Sequence, residues 1–458
     1  MPYESAVELA ARVRRCEVSC VELVQAHLDR IDEVNPVLNA VVARDDERAL
    51  AVAASADTAL AAGGEVGPLH GVPITLKDSI ETADLPTTAG TEGWRDHHPA
   101  GDATVVTRLR AAGAILIGKT NTPELTFGIG TTNEVHGRTN NPYDTRRSPS
   151  GSSGGAAAIV AAGGSALDVG SDTGGSVREP AHACGISALK PTNGRVPLTG
   201  HAVPRAFGAV GSLTTLGPMA RWVGDLALAH RLLSGPDGLD FSVPPVSIDD
   251  PLDEVVGLRA FWYVDNGEVA AEPSVAGAVR DAAEALADRG ASVDEGMPGP
   301  LVGARELYER LLTTGASSRI RRILDRLGTT TPSPGLGERI DGAQARSAGD
   351  LDAILEEVDV FRGAMQACMA DLDVLLCPVT PSPALLHEDM EGDNYLLWGF
   401  EAVFNLCGWP VVVVRAGTSP EGLPIGVQVA SPPWREDIAL GVAAVIEADL
   451  GGFVAPTP

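Results

Sequence analysis

Gly170-Ser-Asp-Thr-Gly-Gly-Ser-Val-Arg178, entered from the strand-like run Ala166 to Gly170, is the stretch that decides how this chain is read. A second serine- and glycine-rich segment, Ser150-Gly-Ser-Ser-Gly-Gly155, lies just upstream, with Ser152 and Ser176 24 residues apart. It opens an alanine-rich helix over Ala156 to Ala162. Both serine loops therefore sit at strand or helix ends, where backbone groups are free to face a ligand. Farther upstream, Val72-Pro-Ile-Thr-Leu76 is an apolar, buried-strand run that ends in Lys77.

Working outward, strands and helices alternate. Apolar residues recur at helical spacing over residues 4 to 34 and stop at Asn35-Pro36. A short strand follows at Ala40 to Val42, then a helix from Glu47 to Ala62 closed by Gly63-Gly64. Gly71 to Leu76 and Ala114 to Gly118 read as buried strands flanking a helix from Thr104 to Ala112. This alternation predicts an α/β fold: one large domain over residues 1–458 with a mixed, mainly parallel central sheet covered by helices. Gly235 to Asp253 reads as a loop, because a strand-like Leu258 to Tyr263 resumes after it, followed by a helix over residues 274 to 288. Residues 303 to 365 are charged and mostly helical, broken by Thr329-Thr-Thr-Pro-Ser-Pro-Gly335.

Composition excludes several function classes. The formal net charge of −27 repels nucleic acid and anionic lipid surfaces. No apolar run is long enough to span a membrane, and no basic-then-apolar N-terminus marks a secretory signal, which points to the cytoplasm. The six cysteines, at 16, 20, 184, 368, 377 and 407, have no framework spacing and read as reduced thiols. No cluster of His, Cys, Asp or Glu has metal-ligand spacing, so neither metal nor other cofactor is expected.

The two serine loops and Lys77 suit acyl transfer. A serine hydroxyl attacks a carbonyl only when a base removes its proton, and the resulting oxyanion needs fixed N–H donors. Consecutive glycines in Thr173-Gly174-Gly175-Ser176 can turn several N–H groups toward one point. None of the nine histidines stands in a comparable setting, which leaves lysine as the base. Its ordinary pKa of about 10.4 must then fall to about 7, at a cost of about 4 kcal/mol in desolvation and charge repulsion.

These motifs resemble the amidase signature family, serine hydrolases with a Ser-cis-Ser-Lys triad. The resemblance implies Ser176 as nucleophile, Ser152 as the bridging serine on a cis peptide and Lys77 as base. It also implies Thr173, Gly174, Gly175 and Ser176 as oxyanion-hole donors, braced by Ser153, Asp172 and Arg178. Similarity extends to Ser19 through Pro36, Gly118-Lys-Thr-Asn-Thr-Pro-Glu124, Gly217-Pro-Met-Ala-Arg221, Asp373-Val-Leu-Leu-Cys-Pro378, Asn405-Leu-Cys-Gly-Trp-Pro410 and Gly422-Leu-Pro-Ile-Gly-Val-Gln428. Residues 66–195 form the signature core on this reading. Residues 295–370 match least and are expected near the active-site mouth, where they would set substrate choice. The chain departs from the family pattern at Ser150, where glycine is usual, and at Cys407 and Trp409.

The function so implied is hydrolysis of small amides or anilides, with esters or carbamates also open, by an enzyme that is a monomer or homodimer. Phe127, Gly128, Ile129, Gly130, Arg205 and Trp409 are the expected substrate contacts. The alternative within the family is an amidotransferase A-type subunit that releases ammonia from glutamine for a partner complex. Three other readings compete. Gly113 to Thr120 satisfies the Gly-x-x-x-x-Gly-Lys-Thr pattern of a P-loop nucleotide hydrolase, although Ala-Ile-Leu-Ile between the glycines is strand-like. Gly151 to Gly155 satisfies Gly-x-Ser-x-Gly, which would make Ser153 a nucleophile served by His387. Ser187-Ala-Leu-Lys190 fits Ser-x-x-Lys but lacks a Lys-Thr-Gly partner. The plain alternative makes the two loops a flexible linker and an ordinary turn.

Overall fold

The run Pro73-Ile-Thr-Leu-Lys77 forms a strand in which every residue is buried. The computed structural model describes residues 1–202, 208–342, 346–390 and 399–457. Thirteen strands are present among them. They are β1 (Val41–Ala43), β2 (Pro73–Lys77), β3 (Ile115–Thr120), β4 (Thr132–Asn133), β5 (Gly137–Arg138), β6 (Leu167–Asp172) and β7 (Ser187–Lys190). The remainder are β8 (Thr215–Ala220), β9 (Arg259–Trp262), β10 (Ser292–Glu295), β11 (Val374–Pro378), β12 (Val411–Thr418) and β13 (Pro424–Ala430).

β4 and β5 pair as a small hairpin, and the other 11 strands form one sheet in the order β1-β3-β2-β6-β8-β7-β12-β13-β11-β9-β10. The sheet is mixed and helix-covered, as expected. Its parallel pairs lie in two wings, β3-β2-β6 and β11-β9-β10. The ladders between those wings, and β1 on β3 at the edge, are antiparallel. Parallel pairing of β2 and β6 brings the chain-forward ends of both to the same edge of the sheet. Lys77 ends one and Asp172 ends the other.

The helix Gly154–Ala161 covers β2 and β6 and is buried on all sides, so only small or apolar residues fit it. Gly155 is required there: a Cβ would lie 2.4 Å from the Asn121 nitrogen and 2.8 Å from the Ala40 oxygen. The expected N-terminal helix is two helices, Ala6–Arg14 and Cys20–Leu38. Ser19 starts the second through a reciprocal capping box with Glu22. That helix runs past Asn35-Pro36 because the Asn35 side chain accepts the Ala40 and Val41 N–H groups, and left-handed Asn39 then ends it.

The charged stretch folds as helices Ala304–Thr313, Ala316–Leu327, Pro334–Gly342 and Ala348–Cys368. The first packs on the helices Ala348–Cys368 and Ala402–Cys407. Ile320, Leu324, Leu336 and Ile340 close a separate apolar cluster over Ala89 and Leu125, with Phe127 packed against it. No described helix is long and apolar enough to cross a membrane.

Candidate active site

Lys77 projects from the end of β2 into a wholly buried pocket of hydroxyls. Its Nζ lies 2.6 Å from Ser152 Oγ, 2.9 Å from Ser153 Oγ and 2.9 Å from Ser171 Oγ, with the Ser171 carbonyl at 3.5 Å. Burial pulls its pKa down to about 7, against the opposing pull of the Asp172 and Asp168 charges. Lys119, at the end of neighbouring β3, is equally buried but differently used. It donates to the Ile80 carbonyl and Thr87 Oγ1 at 2.7 and 2.8 Å and lies 3.7 Å from Asp78 Oδ1. The Gly113 to Thr120 segment is thus a buried strand whose lysine is tied inward, which removes the P-loop reading.

The first serine loop is folded by its own polar groups. The Gly151–Ser152 peptide is cis. Thr131 Oγ1 donates to the Ser150 carbonyl and accepts the Gly154 N–H, stitching both sides of that peptide. Gly151 has no room for a side chain, since a Cβ would lie 2.9 and 3.0 Å from the carbonyl oxygens of Gly130 and Gly128. A Cβ on Gly170 would lie 2.6 Å from Ser153 Oγ, so that position too excludes a side chain. Ser153 N–H donates to the Ser176 carbonyl at 3.1 Å, which joins the two loops. The flexible-linker reading fails on this packing.

Asp172 organises the second loop. Its carboxylate accepts the Gly175 N–H at 3.0 Å, the Val177 N–H at 3.1 Å, two bonds from Arg178 at 3.0 Å and one from Asn405 Nδ2 at 2.8 Å. Burial alone would raise its pKa, but the Arg178 charge and hydrogen bonds, with Lys190 and Asn405, hold it far below the usual carboxylate range. Arg178 is fully buried and also reaches Asn405 Oδ1, Gln428 Oε1 and the Glu401 carbonyl. Of the four expected oxyanion donors, Gly175 thus already has a partner for its N–H in Asp172. Thr173, Gly174 and Ser176 line a narrow cavity, together with Gly151, Thr126, Phe127, Gly128, Val210, Tyr308 and Leu312.

The other expected substrate contacts separate. Phe127 and Gly128 line the cavity, and the Gly130 carbonyl presses on Gly151. Ile129 and Trp409 are buried in an apolar core cluster and are not among the described residues that line the cavity. Trp409 instead offers its carbonyl to Lys190 Nζ at 2.7 Å, which also places Lys190 away from the Ser-x-x-Lys reading. Arg205 lies outside the described residues. His387 pairs with Asn140 Oδ1 at 3.1 Å in a separate surface cleft, so Ser153 has Lys77 and not His387 beside it.

Several participants escaped sequence reasoning. Ser171 touches Lys77, and Asn405 and Gln428 brace Arg178, although both lie inside motifs already singled out. Asp168 is buried beside this group, with Thr75 and Thr120 hydroxyls on one oxygen. Burial lifts its pKa to about 7, against those hydroxyls and Lys77. Tyr308 donates its hydroxyl to the Thr173 carbonyl at 3.0 Å, and Gly174 has no Cβ where that hydroxyl sits. An aromatic four residues before Leu312 in a charged helix was the available signal. Among the described residues, no group of three or more His, Cys, Asp or Glu side chains could hold a metal ion.

Comparison with known proteins fits this geometry. The amidase family profile matches residues 22–440. An indoleacetamide hydrolase of Bradyrhizobium diazoefficiens is 37% identical, with 97% of this chain and 86% of that protein covered. The A subunit of the glutamyl-tRNA(Gln) amidotransferase of Salinispora tropica is 35% identical, with 99% of this chain and 98% of that protein covered. Among solved structures, a 6-aminohexanoate cyclic dimer hydrolase superposes with a TM-score of 0.88 at 29% identity, covering 98% of this chain and 97% of its own. The chain belongs to the amidase signature family.

Proposed function

We propose that this protein hydrolyses small, uncharged amides and anilides through an acyl-enzyme on Ser176, with Ser152 as relay and Lys77 as base. Esters and carbamates of similar shape fall within the same chemistry. The observation that carries this reading is the 2.6 Å contact between buried Lys77 Nζ and Ser152 Oγ, one loop away from Ser176. A lysine with a pKa near 7 is substantially neutral at neutral pH, so its lone pair can accept a proton.

Lys77 takes the Ser152 hydroxyl proton, Ser152 takes that of Ser176, and the Ser176 oxygen bonds to the substrate carbonyl carbon. The oxyanion falls to the N–H groups of Thr173, Gly174 and Ser176. The proton held on Lys77 returns through Ser152 to the leaving nitrogen as the carbon–nitrogen bond breaks. Water then repeats the path, releasing the acid and restoring the Ser176 hydroxyl. Ser153, Asp172 and Arg178 hold the loops in place without touching substrate.

The amidotransferase reading draws on relatives such as the Salinispora tropica protein. Glutamine carries an ammonium and a carboxylate, whereas the described cavity-lining side chains carry no charge. That lining favours a neutral substrate. The test is a panel of neutral amides, anilides, esters, carbamates and glutamine, run beside intact-mass detection of a phosphonyl adduct. Turnover of neutral substrates with the adduct on Ser176 is expected. Glutamine-restricted turnover, or labelling that persists in Ser176→Ala, overturns the reading.

A further inference from the structure

Two carboxyl groups press on the middle of the second serine loop. A Cβ built on Gly175 would lie 2.2 Å from Glu401 Oε2 and 3.1 Å from Glu179 Oε1, so both acids abut one α-carbon. Both are buried, Glu401 completely. Neither Glu401 side-chain oxygen receives a hydrogen bond from a described N–H or O–H group. Arg178 stands beside them but gives its donors to Asp172, Asn405, Gln428 and the main-chain carbonyl of Glu401.

Two buried carboxyl groups packed against one α-carbon, with no donor to Glu401 among the described residues, cannot both stay ionised. One proton between them supplies the missing donor and removes the repulsion. Burial, and then Glu179, raise the pKa of Glu401 well above the carboxylate range, with Arg178 only partly opposing. The other charged group that acts on them is Asp172 at the end of β6, while Lys190 on β7 and Cys377 on β11 act on Arg178 and its neighbours. His182, on the Glu179 helix, faces the Gly426 and Ser382 carbonyls instead.

We propose that Glu179 and Glu401 are positioning residues for the reaction: a carboxyl pair sharing one proton beneath Gly175, which keeps a second negative charge away from the oxyanion loop. The inference rests on the Ser176 reading above. Gly175 stands between Gly174 and Ser176, so the pair backs the segment where negative charge develops in the transition state. Losing the shared proton adds a like charge behind that segment and slows acylation.

The pH dependence of kcat/KM on a neutral anilide tests this. The parent should rise through the Lys77 ionisation and then fall at alkaline pH. Glu401→Gln and Glu179→Gln keep size and hydrogen bonding but cannot lose the proton. Each should keep the rising limb and lose the falling one, and relative to its own neutral-pH rate should be about tenfold more active than the parent one pH unit above the parent's alkaline midpoint. A falling limb unchanged in both variants, or absent from the parent, overturns the pair. If one variant fails to fold, the other decides. A phosphonyl adduct on Ser176 with an unaltered falling limb sinks this inference alone, whereas absence of the adduct sinks the function beneath it.

Discussion

The two serine loops and the helical layer from Ala304 to Gly342 meet at one cavity, but different physics holds them. In the loops, most residues are buried, Lys77, Thr131 and Asp172 tie down their polar groups, and glycines at 151, 154, 155, 170 and 174 stand where a Cβ would strike a neighbour. In the helical layer, contact with the signature core runs through apolar clusters that include Leu125, Ile129 and Phe127 and through a few polar latches. Thr329 Oγ1 meets Thr91 Oγ1 at 2.7 Å, Ser333 N–H donates to Glu124 at 2.7 Å, and Tyr308 reaches Thr173. Its ion pairs are largely exposed, as for Arg321 with Asp341, and contribute on the order of 0–1 kcal/mol each. The loops therefore tolerate little change, while the layer can vary in sequence and still cover the site.

The strongest challenge to this contrast is Ser176→Ala. Turnover should fall by about 10⁴-fold or more with little change in thermal midpoint, measured by steady-state kinetics beside a melting curve. Lys77→Met comes next. It should cost about 10³-fold or more in kcat while leaving the melting temperature equal or higher, because an apolar chain no longer has to be buried as an amine. In the parent, kcat/KM should rise as pH increases through about 7, since the base works when neutral. A flat profile there would remove Lys77 from the role.

Arg178→Ala should act mainly on folding. It leaves Asp172 buried with its principal counter-charge gone, a loss of about 3–5 kcal/mol by denaturant unfolding. In the helical layer the expected effects are smaller and of another kind. Tyr308→Phe should change KM or acyl preference by about threefold to tenfold with a stability change near 1 kcal/mol. Exchange of residues 328 to 340 should shift substrate preference more than stability. Equal loss on every substrate would merge the two regions into one functional unit and sink the comparison.

Much of the candidate site was legible because the chemistry proposed for it draws on residue types in uncommon company. Paired serines among consecutive glycines, with a lysine at the end of an apolar strand, have a narrow range of uses. Strand and helix periods likewise marked β2, β3 and β6 within a few residues. Pairing direction was not legible at the sheet centre: β7, β8, β12 and β13 are antiparallel there, and nothing in a single strand's alternation encodes its neighbour's direction. Trp409 read as a pocket wall because an aromatic beside a motif is ambiguous until its burial is known. Tyr308 and Glu401 gave weak signals because they lie 135 and 226 residues from Thr173 and Gly175, and Glu179, 4 residues from Gly175, because its acidic neighbour Glu401 is distant in sequence.

The candidate residues, Lys77 and the two serine loops, could be picked out from the chain alone, since uncommon residue types at close spacing are visible in one dimension, while the roles proposed for them came with the family resemblance. Packing was needed to establish which serine hydroxyls meet Lys77, that the Gly175 N–H belongs to Asp172, and that two acids close beneath that glycine. Those facts depend on strands paired across long sequence separations, and on burial, which sets the charge a side chain can carry. A lysine at the end of β3 is bound inward by carbonyl and carboxylate. At the end of β2, ringed by hydroxyls, the same residue type is fit to move a proton.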